Sequence, residues 1–138
     1  MTQISQVQLA ELVNRPKPLW LADLDLSRLS LRNTDLKLSD LSSAKLVGAD
    51  LRNAEMNGAN LEESDCQGAL FDEAKLLYVK FQKANLANAS FQNAVLTGAI
   101  LAGANLSGAN FKNATILDVN FEGAVFGQTV MPDGTIRD

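Results

Sequence analysis

The sequence predicts an all-β solenoid, a chain of short extended segments wound round a common core, and three observations carry that expectation. Every fifth side chain from Leu21 to Met131 is apolar: Leu, Met, Ile, Phe, or in one place Cys66. Neither the helical period of 3.6 nor the strand period of 2 generates an unbroken spacing of five, so the unit must be a brief extended step followed by a corner. Two positions before each of these central residues, the nineteen sites from Thr34 to Ala124 hold fourteen Ala, two Ser, one Thr and two Val, which marks a tightly packed position. Finally, seven of the nine glycines fall two residues after a centre, where Asn33, Asn53, Asn88, Asn93 and Asn113 also fall. Gly and Asn tolerate positive φ, so these sites read as corners.

The residue between the small position and the centre is mostly polar, with Asp35, Asp40, Asp50, Asn60 and Asp65 early and Asn85, Asn105, Asn110 and Asn120 later. In-out-in alternation of this kind is a short strand-like step. Before the repeat, Ser5 to Asn14 offers an N-cap serine, apolar Leu9, Leu12 and Val13 at helical spacing, and a stop at Arg15-Pro16, which predicts a short helix placed to cap the first coil. After it, Pro132-Asp133-Gly134 sits between two short apolar stretches and predicts a hairpin across the last coil. The chain divides accordingly into a capping helix and linker (1–18), the repeat array (19–127) and a hairpin-like cap (128–138). Leu24 and Leu29 stand where a small residue is expected, so the first coil is expected to be wider or irregular.

The words Ala49-Asp50-Leu51-Arg52-Asn53, Ala59-Asn60-Leu61-Glu62-Glu63 and Ala104-Asn105-Leu106-Ser107-Gly108 resemble the A(D/N)LXX signature of the pentapeptide repeat family. The resemblance spans roughly residues 19 to 131, and the tail resembles those of short bacterial, often cyanobacterial-type, members. It implies a right-handed, four-sided (quadrilateral) β-helix of about five and a half coils with twenty residues per coil. Residues twenty apart then stack, and Phe71, Phe91 and Phe111 become a ladder of rings within the column from Leu31 to Met131.

Composition narrows the function. The 138 residues carry a net charge of −4 with no clustered Lys or Arg, which argues against direct nucleic-acid binding. No apolar run reaches the ~18 residues of a membrane span, and Met1 to Pro18 lacks a basic flank with an apolar run, so a cytoplasmic location is expected. There is no histidine, and the single Cys66 occupies a central position, where it reads as a buried apolar group rather than a nucleophile. Glu62, Glu63, Asp65, Asp72 and Glu73 have no diagnostic ligand spacing and read as a solvated acidic surface rather than a cation site. The expectation is a protein that is not an enzyme and has no cofactor and no metal.

Eleven of the sixteen acidic residues lie between Asp23 and Glu73, whereas Ala84 to Phe111 carries no charge. The family resemblance offers one activity for comparison: certain members imitate DNA in size and negative charge and bind type II topoisomerases such as DNA gyrase. Those proteins are typically acidic along the whole rod and dimerise through a C-terminal helix, and this sequence departs from them on both counts, so gyrase inhibition stands as the alternative. The favoured expectation is a scaffold for an unidentified protein partner in an unassigned pathway. Leu77, Tyr78, Val95, Ile100 and Leu117 are the candidate binding patch, because stacking at twenty residues groups the first three and Leu117 on the outside of one side of the rod, with Ile100 just past the adjoining corner.

Overall fold

The computed structural model describes all 138 residues and shows a solenoid with a uniform register. Isolated parallel bridges join residues twenty apart along the repeat, from Trp20↔Asp40 to Asn110↔Val130. Each turn of the chain therefore holds four five-residue units. One rung recurs throughout: the Leu21 N–H donates to the Asp40 carbonyl at 2.7 Å, and the Asp40 N–H donates back to the Leu19 carbonyl at 2.9 Å. The first turn keeps this pattern despite Leu24 and Leu29, since Leu26 N–H to Lys45 carbonyl is also 2.7 Å. The larger side chains are taken up by packing, Leu29 being buried and Leu24 half-buried against the core.

The period of five has a physical cause at each corner. The N–H of the residue three beyond a centre donates to that centre's carbonyl, as from Ala44 to Leu41 at 3.1 Å and from Ala99 to Leu96 at 2.9 Å. The residue two beyond the centre has positive φ at every corner from Asp23 to Gln128, the sign that a type II turn requires at its third position. Polar residues before the centres complete the unit. In ten units an Asp or Asn side-chain oxygen accepts the N–H of the residue two further on, as Asp40 does from Ser42 at 2.9 Å and Asn105 from Ser107 at 3.1 Å. That N–H faces outward and finds no carbonyl in the next coil, so the Asx bond satisfies a group that would otherwise rely on water.

Inside, the centres and the small residues form one cluster of 36 buried side chains. Phe71 stacks on Phe91 at 4.9 Å between centroids and Phe91 on Phe111 at 4.8 Å, both within 4° of parallel. Phe81 meets Phe71 and Phe91 edge-on at 5.6 and 6.0 Å. Fixed by the twenty-residue register, the stack is a product of the ladder rather than an independent preference.

Both ends carry extra structure. The helix α1, Gln6–Val13, opens with a capping box in which Ser5 accepts from the Gln8 N–H while the Gln8 side chain accepts from the Ser5 N–H. Its Gln6 side chain exchanges two 2.9 Å bonds with the Ser30 backbone, and Gln3 bridges to Asp25. These contacts occupy polar groups on the open edge of the first turn. At the other end β1, Thr129–Val130, pairs antiparallel with β2, Ile136–Arg137, through a turn closed by Gly134 N–H to the Met131 carbonyl. Ile116, Phe121 and Phe126 are only half-buried there, with the Arg137 guanidinium 3.7 Å above the Phe126 ring.

Candidate protein-binding edge

The backbone register places Leu77, Val95 and Leu117 on one side of the rod, Tyr78 at its following corner and Ile100 just past that corner. Val95 lies in the bridged column Glu55, Lys75, Val95, Thr115, and Ile100 lies past the corner in the column Trp20, Asp40, Asn60, Lys80, Ile100, Asn120. Between those columns run Leu77 and Leu117, twenty residues to either side of Thr97, and then the corner itself with Leu38, Gly58, Tyr78, Gly98 and Asp118. Tyr78 and Leu117 are well exposed, at 67% and 63%, Val95 stands at 36%, and Leu77 and Ile100 are half-buried. Polar Thr97 interrupts the Leu77–Leu117 column, so the five residues form a strip broken by a polar rung rather than a continuous sheet of hydrocarbon.

Two residues belong to this edge that the sequence reading did not include. Trp20 (75% exposed) stands four bridges before Ile100 in the same column, and Leu38 (69% exposed) stands at the same corner as Tyr78 two turns earlier. Extending the twenty-residue arithmetic toward the N-terminus would have found both. With them, five of the nine large exposed apolar side chains in the chain share this edge, and the other four are Met1, Val7, Val125 and Ile136. Scattered exposed apolar residues need no explanation, but concentration along one edge does.

This corner carries bulky side chains on the backbone common to all corners. Leu38 and Tyr78 both adopt φ of 57°, a region in which bulky side chains are uncommon. Each lies along the corner over the glycine of the next turn. A Cβ at Gly58 would meet Leu38 Cδ2 at 2.6 Å, and one at Gly98 would meet the Tyr78 ring at 2.5 Å. Glycine in the next turn is what gives these side chains room to lie flat. At the N-terminal end of the edge, a cleft of about 220 Å³ opens between Leu12 and Arg15 and the segment Pro18 to Leu21. It is smaller than the usual range for small-molecule sites, roughly 300–1,000 Å³.

The other candidates separate. Cys66 is fully buried with its Sγ 3.3 Å from Ser64 Oγ, and burial pushes its thiol up to about 12, so it is protonated and inaccessible. The acidic residues Glu62 to Glu73 are spread over successive sides of the turn, and no three carboxylates, cysteines or histidines gather as metal ligands. Asp72 instead accepts from the Ser90 hydroxyl and from the Gln92 N–H.

The register, the turn chemistry and the outward edge define a β-solenoid built of five-residue units. The chain belongs to the pentapeptide repeat family, whose profile of eight repeat copies matches residues 21–58, 54–93 and 89–128. No curated protein is similar enough to count as a relative. Among solved structures it is similar to the pentapeptide repeat protein Rfr23 from the cyanobacterium Cyanothece 51142, with 25% identity over 86% of this chain and 88% of that one and a TM-score of 0.53. It is also similar to HetL, involved in heterocyst differentiation regulation in the cyanobacterium Nostoc, with 26% identity over 87% of this chain and 71% of that one and a TM-score of 0.49. The plasmid-mediated fluoroquinolone resistance protein QnrB1 shares the fold, with 16% identity over 86% of this chain and 65% of that one and a TM-score of 0.56. No helix is long and apolar enough to cross a membrane.

Proposed function

We propose that this chain is a non-catalytic scaffold that docks another protein along the edge formed by Leu77, Tyr78, Val95, Ile100 and Leu117, extended by Trp20 and Leu38. On this reading the body is a right-handed, four-sided β-helix of about five and a half coils, residues 19–127 at twenty per turn, with α1 and the β1–β2 hairpin as its covers. The observation that carries the docking role is the concentration of exposed apolar side chains on one edge of an otherwise polar rod. Apolar surface held in water on a rigid support is what a protein interface uses at its centre.

Charge supports this reading over DNA imitation and gyrase binding. Asp35 and Glu55 lie 3.7 and 3.1 Å from Lys37 Nζ, and Asp50 takes Arg52 at 2.8 Å and Arg32 at 3.9 Å. These pairs engage three of the eleven carboxylates between Asp23 and Glu73, and Ala84 to Phe111 has no charge at all. A duplex presents continuous negative charge along its length. Capture from the source cell's lysate with the wild-type chain and with a folded Leu77→Glu, Tyr78→Glu variant tests the proposal. A partner held by wild type and lost by the variant supports it. The same partners with both proteins would refute it, and topoisomerase subunits among those partners, with inhibition of supercoiling, would establish the gyrase reading instead.

A further inference from the structure

Resting on the docking edge just proposed, we infer that its occupant is a polyproline II segment carrying an apolar residue at every third position and carboxylates beside it. The first ground is pitch. Leu38 and Tyr78 occupy one corner two turns apart, as do Leu77 and Leu117 in the adjacent column. Two layers of a β-ladder span about 9.6 Å, at ~4.8 Å each. A polyproline II helix rises ~3.1 Å per residue with three residues per turn, so one of its three edges repeats every ~9.3 Å. Side chains at i, i+3 and i+6 of such a ligand therefore stay in step with apolar groups on alternate coils. An extended β-strand repeats on one face at roughly 6.6 Å and drifts out of step at once.

The second ground is the kind of surface. The Tyr78 ring lies along the corner over Gly98 in a well-exposed residue, and Trp20 stands exposed at the head of the same edge. Rigid aromatic platforms along a shallow track are what proline-rich segments dock on, because the preformed polyproline helix loses little entropy on binding.

The third ground is charge. Lys75 and Lys80 flank Tyr78 on its two sides, one before the corner and one after it. Lys80 makes no ion pair, and Lys75 has only a 3.9 Å approach to Glu55. The other charges near this track are Asp35, Lys37 and Asp40 at its N-terminal end, Glu55 one turn before Lys75 and already paired with Lys37 at 3.1 Å, and Asp118 two turns after Tyr78. The middle of the track is therefore positive, and it selects carboxylates in the ligand.

The test uses a synthetic peptide of about twelve residues built from Pro-Leu-Glu repeats, which places each residue type on its own edge of the polyproline helix. Trp20 is the only tryptophan, so its emission reports on the track. Saturable binding by the wild-type chain is expected, with no binding of a shuffled peptide of the same composition that lacks the three-residue period. Tyr78→Asn keeps a residue type already found at positive φ in Asn53 and Asn93, so the variant folds. Its affinity for the peptide is expected to fall by about tenfold or more. Lys75→Gln with Lys80→Gln is expected to weaken binding and flatten its dependence on salt. Equal binding of the shuffled peptide, unchanged affinity in Tyr78→Asn, or no saturable binding would overturn the inference. If the peptide fails while the Leu77→Glu, Tyr78→Glu variant still loses a captured partner, the docking edge stands and only its polyproline occupant is overturned.

Discussion

Leu38 and Tyr78 hold a backbone conformation that costs an L-residue roughly 1–2 kcal/mol, while Gly58 and Gly98 in the turns below them adopt it freely. Replacing Leu38 with Asn, the residue found at many other corners, is therefore expected to raise unfolding stability by about 1 kcal/mol in a denaturant titration. Gly98→Ala should do the reverse, lowering stability by ~1–2 kcal/mol, because its new Cβ both strains the corner and pushes on the Tyr78 ring. Combining Gly98→Ala with Tyr78→Asn should recover part of that loss, which isolates the steric share from the conformational one. The Asp and Asn residues before the centres show where reading the sequence stopped short. Their outward, polar character was plain, but their purpose, accepting an N–H two residues on, follows from the direction of that N–H, which only the closed turn reveals.

Within the repeat, the ring column shows how element-scale energetics are set by register. Phe91 is sandwiched between Phe71 and Phe111, so Phe91→Ala removes contacts on both faces and is expected to cost about 3–5 kcal/mol, measured by the shift in its denaturation midpoint. The loss should exceed that for Phe126→Ala at the half-buried C-terminal end. This column could be listed from the sequence once twenty residues per turn was assumed, whereas the number twenty could not come from a period of five and came from family resemblance. The N-terminal helix was equally accessible, because Ser5 and Gln8 are a capping box in sequence before they are one in space. The contacts of Gln3 and Gln6 with the first turn were not, since nothing in a glutamine's local sequence announces which distant backbone group it reaches.

Across the molecule, carboxylates rather than buried ions tie stability to pH. Hydrogen bonds from Ser27 lower Asp25 below the ordinary carboxylate range, the Arg52 side chain lowers Asp50, and Thr135 lowers Asp133. A carboxyl whose folded pKa lies below its unfolded value near ~3.9 stabilises the fold above that value and stops doing so as pH falls through the folded pKa. Unfolding free energy is thus expected to be flat from pH 7 to about 4 and to decline below it, and Asp50→Asn should make that decline shallower while keeping the Asx bond to Arg52. Much of the candidate edge is legible in the sequence because its residues obey the same column arithmetic as the core, and Trp20 and Leu38 obey it too, four turns before Ile100 and two before Tyr78. That arithmetic also fixes how the surface can change in evolution. Removing five residues anywhere between Leu38 and Leu77 would rotate everything downstream by a quarter of a turn, leaving the core able to close yet carrying Tyr78 and Leu117 away from Trp20 and Leu38. Removing twenty would shorten the rod by one layer and keep the edge straight. A binding edge on this frame survives only insertions and deletions of whole turns, although the fold itself accepts single repeats.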